Sequence, residues 1–391
     1  MPSFALFFLL LSAVGLAAGD LARLQMLLLG GLLGAALSAR IGVDRRLVRP
    51  PPRTDAQTET SAPTTRPAAA ESEPMLTDDE SRRFVLFPIQ RAGLWQLYKQ
   101  MEASVWHTAE LDLSKDAEDW ASLSDGERML LSRVLAFFSA SDLIVNENLA
   151  RRFADEVQWT ECRFFYYLQM FVESIHSETY SLLLETYITD PRERTVLFNA
   201  IEHIPTIKAK AEWALKWIAN GSFAERLFAF AIVEGLLFSA SFCSIFYFKK
   251  RGLLKGLCFA NELIMRDEAL HTRFACELYK HLDHPLDSQT LHRMVGEAVE
   301  LEQAFARDCL PVDLLGMNGA LLSEYIQFVA DVLLSMVECD PLYGTANPFE
   351  FMDLQAMSGR TNFFERRVGE YQRANVLHGE PSREFVLDAR F

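Results

Sequence analysis

The sequence predicts an all-α protein in which long helices pack into one bundle around a buried group of carboxylates and imidazoles. Apolar residues recur at positions i, i+3 and i+4 over most of the chain between residues 93 and 338. No alternating pattern of the kind that marks a half-buried β-strand extends over any length. Half of the 391 residues are hydrophobic and 12% are aromatic, enough to form one large core of about 300 residues.

Eight segments carry the helical pattern, and several are longer than about 25 residues, as a deep bundle requires. The segments are Gly93–Glu110, Asp125–Ala154, Glu161–Tyr187, Pro191–Ala219, Phe223–Lys250, Leu257–His281, Leu286–Asp308 and Gly319–Glu338. Helix ends are marked by Asp190-Pro191, Asn220-Gly221 and His284-Pro285, because proline cannot continue a helix and glycine favours its end.

The composition divides the chain into four parts. Residues 1–49 form an apolar N-terminal extension, and residues 50–80 form a linker rich in Pro, Thr, Ala and Glu that we expect to be disordered. Residues 81–342 form the helical domain, and residues 343–391 form an irregular segment with a mobile C-terminal tail.

The extension contains two apolar runs, Phe4–Gly19 and Leu24–Ala39. Each run is short for a membrane span, and the first lacks the positive segment that opens a signal peptide. A leader for an organelle or for secretion, a membrane hairpin and an extension without a structural role remain open. We favour a leader or an extension without a role over a membrane anchor, and the expected location is the cytoplasm.

Net charge and cysteine usage argue against two classes of protein, those that bind nucleic acid and those held together by disulfides. The formal net charge of −15 disfavours nucleic acid as a partner, since a phosphate-tracking groove needs clustered Lys and Arg. The six cysteines are scattered singly, without a Cys-x-x-Cys pair or the spacing of a disulfide framework. We interpret them as buried thiols of a reducing compartment.

The most informative feature is a Glu-x-x-His pattern that occurs twice, each time within an apolar helical run. Residues three apart on a helix share a face, so each copy offers one carboxylate and one imidazole to the same point. Each copy is also preceded, at a distance, by a single carboxylate in an apolar segment. The six candidate metal ligands, in chain order, are Asp142, Glu173, His176, Glu234, Glu268 and His271.

Four carboxylates beside two imidazoles in an apolar core must be protonated, paired or bound to metal, because an isolated buried charge is costly. Two divalent or trivalent cations balance that charge. Six oxygen and nitrogen ligands are too many for one tetrahedral zinc, and the absence of cysteine excludes a thiolate site. The order of the ligands is typical of the di-iron and di-manganese sites of ferritin-like bundles. The alternative is a set of polar residues hydrogen-bonded within a large core.

A tyrosine and three apolar residues are predicted to form a pocket beside this site. Tyr180 lies four residues after His176, on the same helical face. Phe238, Phe242 and Ile264 lie within two helical turns of a candidate ligand, and we predict that they line the pocket of Tyr180. Such an apolar shell would exclude water and reductants from a phenoxyl radical. Ordinary core packing is the alternative for each of the three.

Asp267 has two candidate partners. It could accept the second N–H of His176 and so fix the orientation of that imidazole. It could equally pair with the neighbouring Arg266 at the surface, and the spacing alone does not separate the two.

Eight segments distributed over most of the chain, four of which contain the candidate ligands, extend this pattern. They are Arg82–Ile89, Glu102–Asp116, Ser141–Leu149, Glu173–Leu183, Val233–Ser239, Lys249–Leu253, Asn261–His271 and Asn362–Gln372. Together with the ligand set and Tyr180, they resemble the small, radical-generating subunit of class I ribonucleotide reductase, of the eukaryotic type. The resemblance covers residues 73 to 391.

The resemblance implies that the six candidate ligands hold two irons in an oxo-bridged centre, with manganese as the less favoured metal. It also implies that Tyr180 becomes a stable radical after reaction with O₂. A long-range electron and proton route would connect Trp106 to Asp267 and Asp267 to His176, with Tyr371 relaying oxidation toward a large catalytic subunit.

The same resemblance implies two partners, the large subunit and a second copy of this chain in a homodimer. The C-terminal tail would dock to the large subunit through Phe385, Leu387, Asp388 and Phe391. Arg390 stands where the family usually has an acid. The implied activity is that of an oxidoreductase subunit serving the reduction of ribonucleotides to deoxyribonucleotides. The alternatives are another ferritin-like di-iron oxidase, of the desaturase or hydroxylase type, and a metal-binding subunit that forms no radical.

Overall fold

The computed structural model describes residues 73–77, 85–310 and 317–353, except for the side chains of residues 142, 143, 220 and 353. The predicted extension at 1–49, most of the linker at 50–80 and the C-terminal tail lie outside the described residues. The remaining description applies to the helical domain.

Eleven helices of seven residues or more make up most of the described chain. They are α1 (Ala92–Ser104), α2 (Asp116–Ser122), α3 (Asp125–Asn148), α4 (Thr160–Tyr187), α5 (Pro191–Phe198), α6 (Pro205–Asn220), α7 (Phe223–Gly235), α8 (Ser239–Lys250), α9 (Lys255–Tyr279), α10 (Ser288–Cys309) and α11 (Gly319–Met336). Shorter helical turns lie at Pro74–Thr77, Thr108–Glu110, Leu149–Phe153, Ala154–Glu156, Ala200–His203 and Glu350–Asp353. No β-strand occurs in the described ranges, as the sequence predicted.

Two of the central helices, α3 and α7, begin at the same kind of capping box. The Ser124 hydroxyl accepts from the Glu127 N–H, and the Glu127 carboxylate accepts from the Ser124 N–H at 2.7 Å. Ser222 and Glu225 repeat this arrangement at the start of α7, with the returning bond at 2.8 Å. Each box satisfies N–H groups that the first turn of a helix leaves unpaired. The caps therefore fix where the two helices that carry single carboxylates begin.

The core of the bundle consists of two helix pairs, α3 with α4 and α7 with α9, joined through contacts between α4 and α9. Helix α1 packs across α4 and α9, and α10 and α11 pack on each other beside the bundle. All six cysteines are buried free thiols, as predicted. The four helices that carry the candidate ligands, α3, α4, α7 and α9, therefore pack in one connected bundle.

Three helical stretches of the described chain are long and apolar enough to cross a membrane by length and composition alone. They are Asp125–Glu156, Phe223–Lys250 and Gly319–Met336. Within Phe223–Lys250, 94% of the apolar 18-residue stretch is buried by the protein itself. The apolar character of that stretch therefore serves the core of the bundle.

Three predicted helical segments differ most from the structure. The first helix ends at Ser104 instead of Glu110. The segment Pro191–Ala219 is divided before Pro205, because proline lacks an N–H for the helical ladder and holds the preceding Ile204 in an extended conformation. The segment Phe223–Lys250 is broken at residues 236–238, where the N–H groups of Leu236 and Leu237 both donate to the carbonyl of Ile232 at 2.9 Å.

Candidate metal centre

The two Glu-x-x-His pairs and the carboxylate of Glu234 converge in the middle of the bundle. One ligand atom from each of Glu173, Glu234, Glu268 and His271 lies within 4.8 Å of the others. His176 joins them, with its Nδ1 3.0 Å from Oε1 of Glu268. All five side chains are buried. The sixth candidate, Asp142, lies on α3, and its side chain is outside the described residues.

Both imidazoles turn the same nitrogen toward the carboxylates. His271 Nδ1 lies 3.0 Å from Oε1 of Glu173, and His176 Nδ1 lies 3.6 Å from Oε2 of Glu173. Among the described residues, both Glu173 oxygens, Oε2 of Glu234 and Nδ1 of His176 have no hydrogen-bond partner. Unsatisfied buried carboxylate oxygens are costly, and cations remove that cost. The donor set of oxygens and imidazole nitrogens suits two iron or manganese ions.

Without bound cations, protons balance the charge of this cluster. Burial opposes charge on both imidazoles, but the adjacent carboxylates of Asp267, Glu173 and Glu268 outweigh burial and raise the pKa of His176 well above its usual value. The pKa of His271 is raised in the same way. Burial raises the pKa of Glu234, whereas the two imidazoles outweigh burial at Glu173 and lower its pKa to about 2. The centre of the site therefore carries positive charge on the protonated imidazoles without metal, and bound cations would supply positive charge in their place.

Asp267 lies directly behind His176 and contacts both of the partners considered for it. Its Oδ2 lies 3.2 Å from Nε2 of His176 and accepts a hydrogen bond from Nε1 of Trp106 at 2.8 Å. Its Oδ1 accepts from the guanidinium of Arg266 at 2.8 and 2.9 Å. Trp106 and Asp267 are buried. A continuous row of contacts thus runs from Trp106 through Asp267 to an imidazole of the metal centre.

Tyr180 is buried beside the ligands under a layer of aromatic rings. Phe138 stacks on its ring, with 4.5 Å between centroids and 8° between planes. Phe238 and Phe242 pack against Phe138 at 5.4 and 4.9 Å. Ile264 is buried on α9. Both phenylalanines thus meet Phe138, the ring that covers Tyr180. The helical spacing assumed for Phe238 is wrong, because that residue lies in the break between α7 and α8.

Two residues of the site were missed by reasoning from the sequence. Gln169 is fully buried and donates from Nε2 to Oε1 of Glu234 at 2.9 Å. Phe138 provides the ring that stacks on Tyr180. Each had a signal, since Gln169 lies four residues before Glu173 and Phe138 four residues before Asp142, one turn away on a ligand-bearing face.

The remaining predicted residues belong to the C-terminal part of the chain. Tyr371 and the docking residues Phe385, Leu387, Asp388 and Phe391 all lie outside the described residues. Their predicted roles remain predictions.

Comparison with known proteins agrees with this architecture. The model of the ribonucleotide reductase small chain family matches residues 83–348. The ribonucleoside-diphosphate reductase subunit M2 of Danio rerio is 55% identical over 325 residues, which cover 83% of this chain and 84% of that protein. The Homo sapiens subunit M2 is 51% identical over 349 residues, covering 89% of this chain and 88% of that protein.

A solved structure of a related protein shares the fold. The ribonucleotide reductase Rnr4 homodimer from Saccharomyces cerevisiae superposes with a TM-score of 0.67 at 36% identity, covering 72% of this chain and 89% of that chain. The all-α, ferritin-like class and the family resemblance predicted from the sequence are both confirmed. The chain belongs to the ribonucleotide reductase small-chain family, whose relatives are named as subunits of an oxidoreductase.

Proposed function

We propose that this chain holds two iron ions in its core, uses them with O₂ to oxidise Tyr180 to a radical, and supplies that radical to a large catalytic subunit. The large subunit would use it to reduce ribonucleoside diphosphates. The observation that carries the proposal is the buried meeting of Glu173, His176, Glu234, Glu268 and His271 beside a buried tyrosine. Manganese in place of iron is the alternative that the same donor set accepts.

The ligands and the aromatic layer have separate tasks in this proposal. Glu173, Glu234, Glu268 and the two imidazoles would hold the metal pair, together with Asp142. When bound, the metals and O₂ supply a strong one-electron oxidant. Tyr180 then loses one electron and its phenolic proton to become a neutral radical. Phe138, stacked on the ring at 4.5 Å, keeps water and small reductants away from it.

The contacts behind His176 suit a route for the oxidising equivalent. Burial alone would raise the pKa of Asp267, but Arg266 and His176 hold it below its usual range, so the carboxylate is ionised. An ionised Asp267 stabilises positive charge on Trp106, whose N–H donates to it at 2.8 Å. The Trp106 and His176 rings are also stacked, with 6.2 Å between centroids. Electrons can therefore pass between Trp106 and the centre, and Tyr371 would extend the route toward the large subunit.

We further propose that two copies of this chain pair through the outer face of α4. Tyr167, Phe171 and Leu182 lie on that face and are 47%, 45% and 37% exposed. Together with Ser174 they follow one helical stripe, and large apolar residues in one stripe are typical of a buried contact. The related Rnr4 structure is described as a homodimer. The occupant we propose is therefore a second copy of this chain.

The decisive experiment is to load the purified full-length chain anaerobically with Fe²⁺, add O₂ and record its electron paramagnetic resonance spectrum. A tyrosyl signal is expected in the natural chain and in Tyr166→Phe, a buried tyrosine on the same helix that serves as the matched control. Tyr180→Phe should bind the same amount of iron and show no such signal. A tyrosyl signal that persists in Tyr180→Phe would place the radical on another residue.

A further inference from the structure

A fully buried ion pair lies outside the metal centre, between α6 and α10. Nζ of Lys210 lies 2.6 Å from Oε2 of Glu302, and the two side chains are 1% and 0% exposed. Taking two charges out of water costs several kcal/mol per ion, and apolar residues of similar size are often as stable. Stability is therefore a weak explanation for this pair, and its other contacts become informative.

Each member of the pair bonds the backbone at the break between α7 and α8. Lys210 Nζ donates to the carbonyl of Leu237 at 2.6 Å, and Oε1 of Glu302 accepts from the Ala240 N–H at 3.0 Å. In an unbroken helix the Ala240 N–H would donate to the Leu236 carbonyl. That carbonyl instead accepts from the Ser239 N–H at 3.1 Å. Glu302 thus provides the partner that the break removes.

The break determines the position of a ring in the radical pocket. Phe238 is its last residue and packs against Phe137 at 5.6 Å and against Phe138 at 5.4 Å. The Lys210 ammonium also lies 3.3 Å from the centroid of Phe137. The ion pair therefore directly contacts a ring that packs against Phe238. Phe138 in turn stacks on Tyr180. Two contacts, one through the backbone and one through Phe137, connect the ion pair to the layer over Tyr180.

We propose that Lys210 and Glu302 are positioning residues that fix the break at residues 236–238 and thereby hold Phe238 in the aromatic layer that shields the Tyr180 radical. The inference rests on the proposed function for its outcome, a long-lived radical. Its geometric part, a backbone segment held by an ion pair from two other helices, can be tested without metal. Without the pair, Phe238 gains freedom to leave Phe138, and reductants reach Tyr180 sooner.

The test uses a double variant, Lys210→Met with Glu302→Met, which removes both charges at similar volume and so avoids leaving one buried charge alone. Hydrogen exchange of the metal-free chain is measured first, over residues 236–242. Exchange of the Ala240 amide should become about tenfold faster or more, as expected from the loss of a hydrogen bond to a charged group. After loading with Fe²⁺ and O₂, the half-life of the tyrosyl signal should fall several-fold at unchanged initial yield.

Two further variants make the result specific. Lys210→Met with Glu302→Gln keeps a neutral acceptor for the Ala240 N–H and should recover much of the protection and half-life. Arg226→Met with Glu156→Met removes a different ion pair at the start of α7 and should leave both readouts unchanged.

Each remaining outcome decides the matter. Unchanged exchange at residues 236–242 in the Met/Met variant would overturn the positioning role, and so would faster exchange with an unchanged radical half-life. If exchange rises throughout α3 and α4, the Met/Met variant has loosened the whole fold, and the Gln variant decides instead. In that variant, amide protection at residues 236–242 and the radical half-life should recover together, and recovery of one without the other would overturn the positioning role. A natural chain that forms no radical refutes the proposed function, while hydrogen exchange still decides whether the pair fixes the break.

Discussion

Replacing Asp267 by Asn tests the contacts behind the metal centre most directly. The substitution keeps the shape of the side chain and removes one charge. Asp267 accepts from Trp106 at 2.8 Å and from Arg266 at 2.8 Å, and it faces His176 at 3.2 Å. An amide presents an N–H₂ group to at least one of these donors, so at least one hydrogen bond is lost and Arg266 loses its counter-charge.

The expected loss of stability follows from the burial of these groups. Removing one partner of a buried ion pair costs about 3–5 kcal/mol, because the other charge is left uncompensated. The Arg266 side chain is 14% exposed and also donates to the Ser104 carbonyl at 2.6 Å, so part of its charge remains solvated or hydrogen-bonded. We therefore expect the lower end, about 3 kcal/mol in the free energy of unfolding. Loss of the bond that orients His176 should also weaken metal binding about 10–100-fold.

Two measurements check this prediction. The free energy of unfolding of the metal-free chain is obtained from urea denaturation, and Fe²⁺ affinity from anaerobic titration. Glu212→Gln is the control, because its pairing with Lys208 is exposed on both sides and should contribute less than about 1 kcal/mol. If Asp267→Asn costs no more than Glu212→Gln and binds Fe²⁺ as tightly as the natural chain, then Asp267 does not support His176 as argued.

Three further predictions concern metal uptake and assembly. Because the pKa values of His176 and His271 are raised, both imidazoles keep protons at neutral pH, and cations that need neutral imidazole must displace them. Fe²⁺ affinity should therefore rise with pH with release of protons to an indicator dye, and pH-independent binding would contradict this. In the metal-free chain, the stability from these imidazolium contacts is fully present below about pH 6.5 and is lost as pH rises through the folded pKa. Phe171→Glu should shift the chain from dimer to monomer in sedimentation, whereas Leu215→Glu, equally exposed on α6, should not; a dimeric Phe171→Glu would exclude this face. Deleting residues 385–391 should abolish turnover with the large subunit while the radical remains, and undiminished turnover would exclude docking by the tail.

The two Glu-x-x-His pairs could be predicted because they depend on local geometry. Glu173 and His176 share a face by their spacing alone, as do Glu268 and His271, so no tertiary information was needed. The break at residues 236–238 could not be predicted in this way. No proline marks it, and two of the contacts there come from Lys210 and Glu302, which lie 27 residues before Leu237 and 62 residues after Ala240. Gln169 and Phe138 could be predicted only in part. Their position one turn from a candidate ligand follows from local spacing, but their contact partners lie on other helices.

Helix α4 carries the candidate metal ligands Glu173 and His176 on one side and the proposed contact surface on the other. A helix is about 10 Å across, so only its own thickness separates Tyr180 and His176 from the neighbouring protomer in such a pair. If α4 of one protomer tilted or slid against α4 of the other, the movement would reach the candidate ligands directly, because no other element lies between them. The two candidate metal centres of such a dimer would then be mechanically coupled, and metal binding at one should alter the chemistry proposed for the other.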